Sequence, residues 1–374
     1  QNTMHPVLHN DKNGLYRISP FIIGTSDAAP LNPHTGNPLS MDKRTRGMIR
    51  FFVRPRKLSD AQKLFPYQLM SKFLSEKIII PVTDDPAKIF RLKYVQIDTN
   101  RGCNLRCNFC PNATNHRTFQ TMPFKLFRSI INKLRAYKKD IKAISFSSYN
   151  EPTIDPLFIK RVALIRKYGF PYWFISNASG LTRTVAKSLL KLGVKKGAIT
   201  LNVPFAPSGK YKKLLESRIS HITLAARLGM HLDIRVNGAG DTNHALEMTA
   251  LKHIFKDTPR ISISGGSIID RAGALRNKFA QHIHNRRLYG CECNASRPFN
   301  WLHINTKGIC FLCCQDYHEH YTIGDISKES VQEIMAGERA ARLRRWVYGI
   351  TQAPRSFICR RCCFAATKRS QEWF

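Results

Sequence analysis

The chain has 374 residues, 43% of them hydrophobic, enough to bury a large core, and one large domain with smaller appendages is the expected organisation. No apolar run approaches the ~20 residues of a membrane span, and the start QNTMHPVLHNDKNG lacks the basic-then-apolar order of a secretory signal, so a cytoplasmic protein is expected. Lys and Arg number 60 against 25 Asp and Glu, a formal charge of +35 that attracts polyanions: an acidic peptide, nucleic acid or anionic lipid.

Residues 1–45 are rich in Asn, Pro, Thr, Gly and Asp and read as an irregular arm. Positions 48–54 suggest a strand. Positions 59–77 suggest one amphipathic helix with Leu64, Leu69, Phe73 and Leu74 on a face and Ser59 or Asp60 as its cap. This appendage, 1–90, carries no motif. Binding a peptide leader, covering a barrel opening and dimerisation are its candidate roles.

From position 93 short β-rich runs alternate with helical stretches, the pattern of βα units on a parallel sheet. Strands are expected at 94–98, 141–147, 172–176, 198–203, 232–236 and 261–264. Helices are expected at 124–139, 158–168, 185–192, 219–228 and 245–254, which makes about six units over 91–280.

Eleven cysteines, several at C-x₂-C spacing and none behind a signal, point to metal binding and not to disulfides. The run IDTNRGCNLRCNFCPN after the first strand holds Cys103, Cys107 and Cys110 as C-x₃-C-x₂-C. A structural zinc site closes with four protein ligands, whereas three thiolates leave one position open for something else. Thiolate ligation suits iron–sulfur chemistry or zinc. A zinc knuckle would borrow a fourth ligand such as His116.

This spacing, with a strand ahead of it and Phe109 before the last cysteine, resembles the radical S-adenosylmethionine superfamily. The resemblance implies a [4Fe–4S] cluster on Cys103, Cys107 and Cys110, whose open iron binds the amino and carboxylate groups of S-adenosylmethionine. Reduction then yields a 5′-deoxyadenosyl radical that abstracts a substrate hydrogen. The implied fold is α/β: a partial (β/α)₆ TIM-like barrel with its active site at the C-terminal ends of the strands. Phe109 becomes a cofactor contact.

Ser147-Ser148-Tyr149-Asn150-Glu151-Pro152, at the end of the second strand, is similar to the family's Gly-Gly-Glu-Pro motif, with Tyr149 and Asn150 where glycines stand. Ser147, Asn150 and Glu151 are accordingly expected at the methionine amino group, which backbone carbonyls can also receive. Ser176 and Asn177 resemble the family's Ser/Thr-Asn-Gly segment. Asn202 ends the fourth strand. On the fifth, Arg235 would hold the methionine carboxylate bidentately or pair with Asp233. Asp270-Arg271-Ala272-Gly273 resembles a segment that precedes the C-terminal domain in several family members.

The other eight cysteines lie in 281–374. Their order, with Arg297-Pro298-Phe299, Gly308 and Ile323-Gly324-Asp325 between them, resembles a SPASM/twitch extension. A single auxiliary [4Fe–4S] cluster is implied, with Cys293, one of Cys313 or Cys314, Cys359 and Cys362 as its ligands. A zinc ribbon would use the same Cys₄ pattern. Cys291, Cys310 and Cys363 are left as free thiols, packing groups or ligands of a further cluster. Between Arg339 and Ser370 stand nine Lys/Arg and no acid.

The reading is an oxidoreductase-type radical enzyme fed by a flavodoxin- or ferredoxin-like electron donor. An acidic ribosomal peptide is the first-ranked substrate and a sugar-like small molecule the second. The outcome is a crosslink, a dehydrogenation, or an epimerisation with a spare thiol such as Cys310 as hydrogen donor. An RNA-binding or RNA-modifying iron–sulfur protein is the contrasting class, since charge alone does not establish a nucleic-acid partner.

Overall fold

The computed structural model describes residues 14–22, 31–115, 117–202, 209–275, 284, 287–293 and 297–366. His116 and Val203, which figure in the sequence expectations, lie outside them. The chain divides into two compact units: 92–283 with 301–331, and 1–91 with 284–300 and 332–374. Residues 281–374 therefore contribute to both.

In the first unit the expected alternation forms a parallel sheet. Strands β1 (Tyr94–Ile97) and β2 (Ala143–Ser145) pair in parallel, and a single bridge from Ile144 to Tyr172 leads on. Next come β3 (Ile175–Ser176), β4 (Lys196–Thr200), β5 (His231–Gly238) and β6 (Ile261–Ser267), all parallel, with Ile175, Ala198, Asp233 and Ser262 in register. The sheet does not close on itself: it is a partial, TIM-like barrel.

Helices α1 (Phe124–Leu134), α2 (Phe158–Lys167), α3 (Arg183–Lys191), α4 (Gly209–Arg227) and α5 (Thr242–Ile254) connect these strands. In α1 the apolar residues fall at helical spacing, so Phe127, Ile130, Ile131 and Leu134 are all buried. Thr182 caps α3 by accepting from the Val185 N–H, and Asp241 caps α5 by accepting from His244. Gly193, at φ 76, ends the turn after α3 in the left-handed region.

The sheet also grows on the other side of β1. Strand β7 (Trp301–Ile304) pairs with it in parallel, and the Trp301 and Tyr94 rings stack at 4.6 Å. An antiparallel hairpin, β8 (Ile309–Phe311) and β9 (Thr322–Asp325), follows.

In the second unit, strand Leu15–Ile18 lies between Arg56–Lys57 and Ile79–Pro81. Two expectations fail here. The 48–54 strand is instead part of helix Lys43–Phe52, because Met48, Ile49 and Phe52 point inward at helical spacing. The 59–77 helix is split into Leu58–Gln62 and Tyr67–Ser75. Pro66 separates them, since it has no N–H to continue a helix and its ring clashes with the preceding turn. The buried Arg344 guanidinium donates to the carbonyls of Ala87, Pro298 and Met335, tying distant segments of this unit together.

Candidate active site

The cysteine loop leaves β1 and is pinned at its root. Asn100 and Arg101 pair with Gln120 and Thr121, and the Glu151 N–H donates to the Gly102 carbonyl at 3.0 Å. Gly102 sits at φ 142 with Phe119 only 3.2 Å from where a Cβ would stand, so a side chain there would meet the ring. Cys103, Cys107 and Cys110 are all half-buried, and so is Phe109 between them. The Cys110 N–H donates to the Cys107 carbonyl. The Cys103 sulfur accepts from the Leu105 N–H at 3.4 Å and from Asn177 Nδ2 at 3.5 Å.

Burial pushes the Cys103 thiol up to about 11 and Cys107 to about 12, and raises Cys110 as well; neighbouring thiols add to the first two shifts. Three soft donors that feel one another's charge fit a thiolate-ligated cluster. Among the described residues, no three Cys, His, Asp or Glu side chains are already gathered as a metal group. Metal binding at cysteines displaces the thiol protons, because the ligand is the thiolate.

The strand ends around the loop are joined to it. Asn150 Nδ2 donates to Asn100 Oδ1 and to the Phe146 carbonyl, while its Oδ1 receives the Ser148 N–H. Ser147 Oγ exchanges hydrogen bonds with the Ile175 backbone and replaces a ladder bond between β2 and β3. The buried Glu151 carboxylate accepts from Thr153 N–H and Oγ, from Ser176 Oγ at 2.7 Å and from the Asn177 N–H at 2.5 Å. Burial raises this carboxyl, and the four donors oppose the rise. Ser147, Asn150, Glu151 and Ser176 therefore brace the loops with their side chains, and Asn177 links this framework to Cys103.

Ala178 holds φ 65, the left-handed conformation for which glycine is suited. Arg218 from α4 is buried and donates to the carbonyls of Asn177 and Thr200, and His221 Nδ1 lies 3.0 Å from the Ala178 carbonyl. Nothing in the sequence singled out either residue; on a helix a lone Arg reads as solvated. Asn202 is joined to the Asn237 backbone and to Glu247. Arg235 takes the second of its expected arrangements: its Nε donates to Asp233 at 3.1 Å, and its guanidinium lies 5.8 Å from the Trp173 ring.

Tyr149, where the family motif has glycine, is buried. Its hydroxyl donates to the Cys314 carbonyl at 2.6 Å, and its ring meets Tyr317 edge-on at 4.8 Å. The Tyr317 hydroxyl donates to the Asn115 carbonyl and bonds Asn112 Oδ1, and Asn112 Nδ2 donates to the Tyr149 carbonyl. The Arg117 guanidinium covers the Tyr317 ring at 4.1 Å and stands between Asp98 and Glu319. Burial first, and the neighbouring Glu319 beyond it, push the Asp98 carboxyl up to about 7 against the opposing pull of Arg117. This cluster joins the Cys110–Asn115 segment to the Cys313–Cys314 turn.

The later cysteines are dispersed. Cys291, Cys293, Cys359, Cys362 and Cys363 belong to one unit, and Cys310, Cys313 and Cys314 to the other. Within the former, the Glu292 N–H donates to the Phe364 carbonyl and Cys291 bridges Ala365, which lays 291–293 beside 362–365. The Cys293 sulfur accepts from Arg297 Nε at 3.0 Å, and the Cys362 sulfur from the Phe364 N–H at 3.4 Å. Such N–H···S bonds are the outer partners a cluster thiolate uses. Cys310 is fully buried in β8, and burial drives its thiol far upward.

The model of the radical SAM superfamily matches residues 97–253, and that of an iron–sulfur cluster-binding domain, SPASM, matches residues 291–363. The chain is 31% identical over 103 residues to the tungsten-containing aldehyde ferredoxin oxidoreductase cofactor-modifying protein of Pyrococcus furiosus, covering 28% of this chain and 29% of that protein. The match thus spans less than a third of the relative's length. Among solved structures, Streptococcus suis SuiB bound to precursor peptide SuiA is similar at TM-score 0.55 and 13% identity over 91% of each chain. Native anSMEcpe with bound AdoMet is similar at TM-score 0.51 and 12% identity, over 73% of this chain and 86% of that one. At such identities the likeness is one of fold. Residues 97–253 thus carry a radical SAM domain and residues 291–363 a SPASM iron–sulfur cluster-binding domain, and these two domains imply [4Fe–4S] clusters and S-adenosylmethionine as cofactors.

Proposed function

We propose that this enzyme abstracts a hydrogen from an acidic peptide in ribosomal peptide maturation, with net oxidation of the peptide as the outcome. Cys103, Cys107 and Cys110 hold the reactive cluster, and Cys293, Cys359 and Cys362 serve the auxiliary one. When bound, the reactive cluster and S-adenosylmethionine supply the 5′-deoxyadenosyl radical.

The carrying observation is the joining of the cysteine loop to the ends of β2 and β3 through Glu151 and Asn177. Asn177 donates to the Cys103 sulfur and stabilises its thiolate. Glu151 fixes the Ser176-Asn177 turn, and Arg218 holds that turn from behind. When S-adenosylmethionine is bound, backbone carbonyls of 147–150 would receive its ammonium group, and Phe109 would contact the cofactor. An outside donor of flavodoxin or ferredoxin type delivers the electron, in a cytoplasmic setting. Among the described residues no helix is long and apolar enough to cross a membrane.

The charge of +35 supports an acidic substrate. A second reading, a sugar-like or other small molecule, is favoured by the relative whose name describes cofactor modification. Anaerobic incubation of the reconstituted protein with dithionite and S-adenosylmethionine tests both. An acidic precursor peptide is expected to raise 5′-deoxyadenosine release and to lose hydrogen by mass. Turnover with sugar-like small molecules alone would select the second reading. A protein that binds iron and never releases 5′-deoxyadenosine would overturn both.

A further inference from the structure

Shortly after β6 the chain makes a turn that L-residues rarely adopt. Arg271, Ala272 and Gly273 follow one another at φ 52, 53 and 85, so two residues with side chains stand in the left-handed region in succession. The Gly273 and Leu275 N–H groups both donate to the Asp270 carbonyl, and the Ala274 N–H donates to that of Arg271. Asp270, Ala272 and Leu275 are buried and anchor the turn. Both this turn and the cysteine loop follow the C-terminal ends of parallel strands. Backbone strain of this kind collects where the surrounding structure fixes a side chain for function.

What the turn aims is the Arg271 side chain. Its guanidinium lies 5.9 Å from the centre of the buried Tyr149 ring, and that of Arg117 lies 5.4 Å from the same ring. The Tyr149 carbonyl accepts from Asn112 Nδ2, which brings the ring beside the segment that begins at Cys110. Two cations and one aromatic face are thus gathered next to the last cysteine of the loop. Burial raises the Cys110 thiol, and among the cations that oppose the rise Arg271 comes first, ahead of Arg117 and Arg106. Arg117 divides its charge between Asp98 and Glu319, at 3.9 and 3.4 Å.

We infer that Arg271, fixed against Tyr149, raises the reduction potential of the cluster at Cys103, Cys107 and Cys110 and so eases entry of the electron that an outside donor delivers. The inference rests on the proposed placing of that cluster and deepens it. Reduction adds one negative charge to a thiolate-ligated cluster, so a fixed cation nearby stabilises the reduced form more than the oxidised one. In a half-buried loop this field is screened less than on an open surface. The electron comes from the reduced donor of flavodoxin or ferredoxin type, which is oxidised by one electron, and no bond is made or broken. Tyr149, standing where the related motif has glycine, supplies the face on which the cation rests.

The test is a potentiometric titration of the reconstituted full chain. It follows the electron paramagnetic resonance signal that changes on adding S-adenosylmethionine, so that an auxiliary cluster is not counted. Arg271→Gln should weaken reduction roughly tenfold, a potential about 59 mV lower for one electron. Arg271→Lys should keep most of the original value, and Tyr149→Phe, which preserves ring and cation, should keep it too. The exposed Lys139→Gln should leave it unmoved. Arg271→Met repeats the removal of charge should the Gln chain take up no iron. An unshifted potential in the neutral variants, an equal fall in Arg271→Lys or Lys139→Gln, or loss of iron from both neutral variants would overturn the inference. Failure of the cluster assignment is distinguishable: the unaltered chain then gives no signal that S-adenosylmethionine changes, and the inference falls with it.

Discussion

The two cysteine regions are built on opposite plans. Cys103, Cys107 and Cys110 occupy one loop whose root is hydrogen-bonded to the ends of neighbouring strands. The later cysteines are drawn from separate segments, and strand-like pairing brings 291–293 beside 362–365. A contiguous loop places its thiols by local geometry, whereas a dispersed set depends on the fold that surrounds it. The first is therefore readable as a motif, and the second only as a set of candidates.

The largest expected effect separates the two regions outright. Replacing Cys103, Cys107 and Cys110 together by Ala should remove roughly four irons per chain and abolish 5′-deoxyadenosine release, leaving the auxiliary iron in place. Retention of all the iron would break the distinction.

Next comes the support under the first loop. A carboxyl whose folded-state value lies near 7, as for Asp98, makes the folded chain bind more protons than the unfolded chain between about pH 4 and pH 7. Its contribution to stability is therefore greatest at or below about pH 4 and is lost as pH rises through 7. Asp98→Asn should flatten this slope, by on the order of 2–4 kcal/mol across the window, in urea midpoints measured at several pH values.

Tyr149→Phe probes the join between the Cys110–Asn115 segment and the Cys313–Cys314 turn. It keeps the ring but leaves the Cys314 carbonyl without its donor, at a cost of about 1–2 kcal/mol. Alkylation of Cys314 in the metal-free protein should quicken while that of Cys103 stays the same; equal changes at both would mean a general loosening. Cys310→Ala should cost roughly 1 kcal/mol through a small cavity and leave the iron content unchanged. Loss of iron there would make Cys310 a ligand.

The smallest effect is at Ala178. Glycine relieves the left-handed strain of about 1–2 kcal/mol but loses more freedom on folding. The net gain of Ala178→Gly should stay below about 1 kcal/mol in the same urea assay.

The barrel was legible because its strands and helices repeat at the periods their faces require, and α1 shows it with Phe127, Ile130, Ile131 and Leu134 all inward. The appendage was less so. A short apolar run such as 48–54 suits either a strand or a buried helix face, and only its neighbours settle which. Pro66 was a visible break whose consequence the hydrophobic spacing hid.

At the site, spacing marked the cysteine loop and resemblance to the family motif marked Glu151-Pro152, because both are contiguous. Arg218 behind Asn177, Tyr149 on the Cys314 carbonyl, and Arg117 with a partner 200 positions away left no local trace. Sequence by itself determined the chemistry: three thiols in a loop after a strand, in a radical SAM chain with a second cysteine set. Tertiary structure alone decided which side chains brace those thiols, which cysteine is sealed in a strand, and that Arg235 pairs with Asp233. Ligand types follow from residue identity, but hydrogen bonds and burial exist only once remote segments have met.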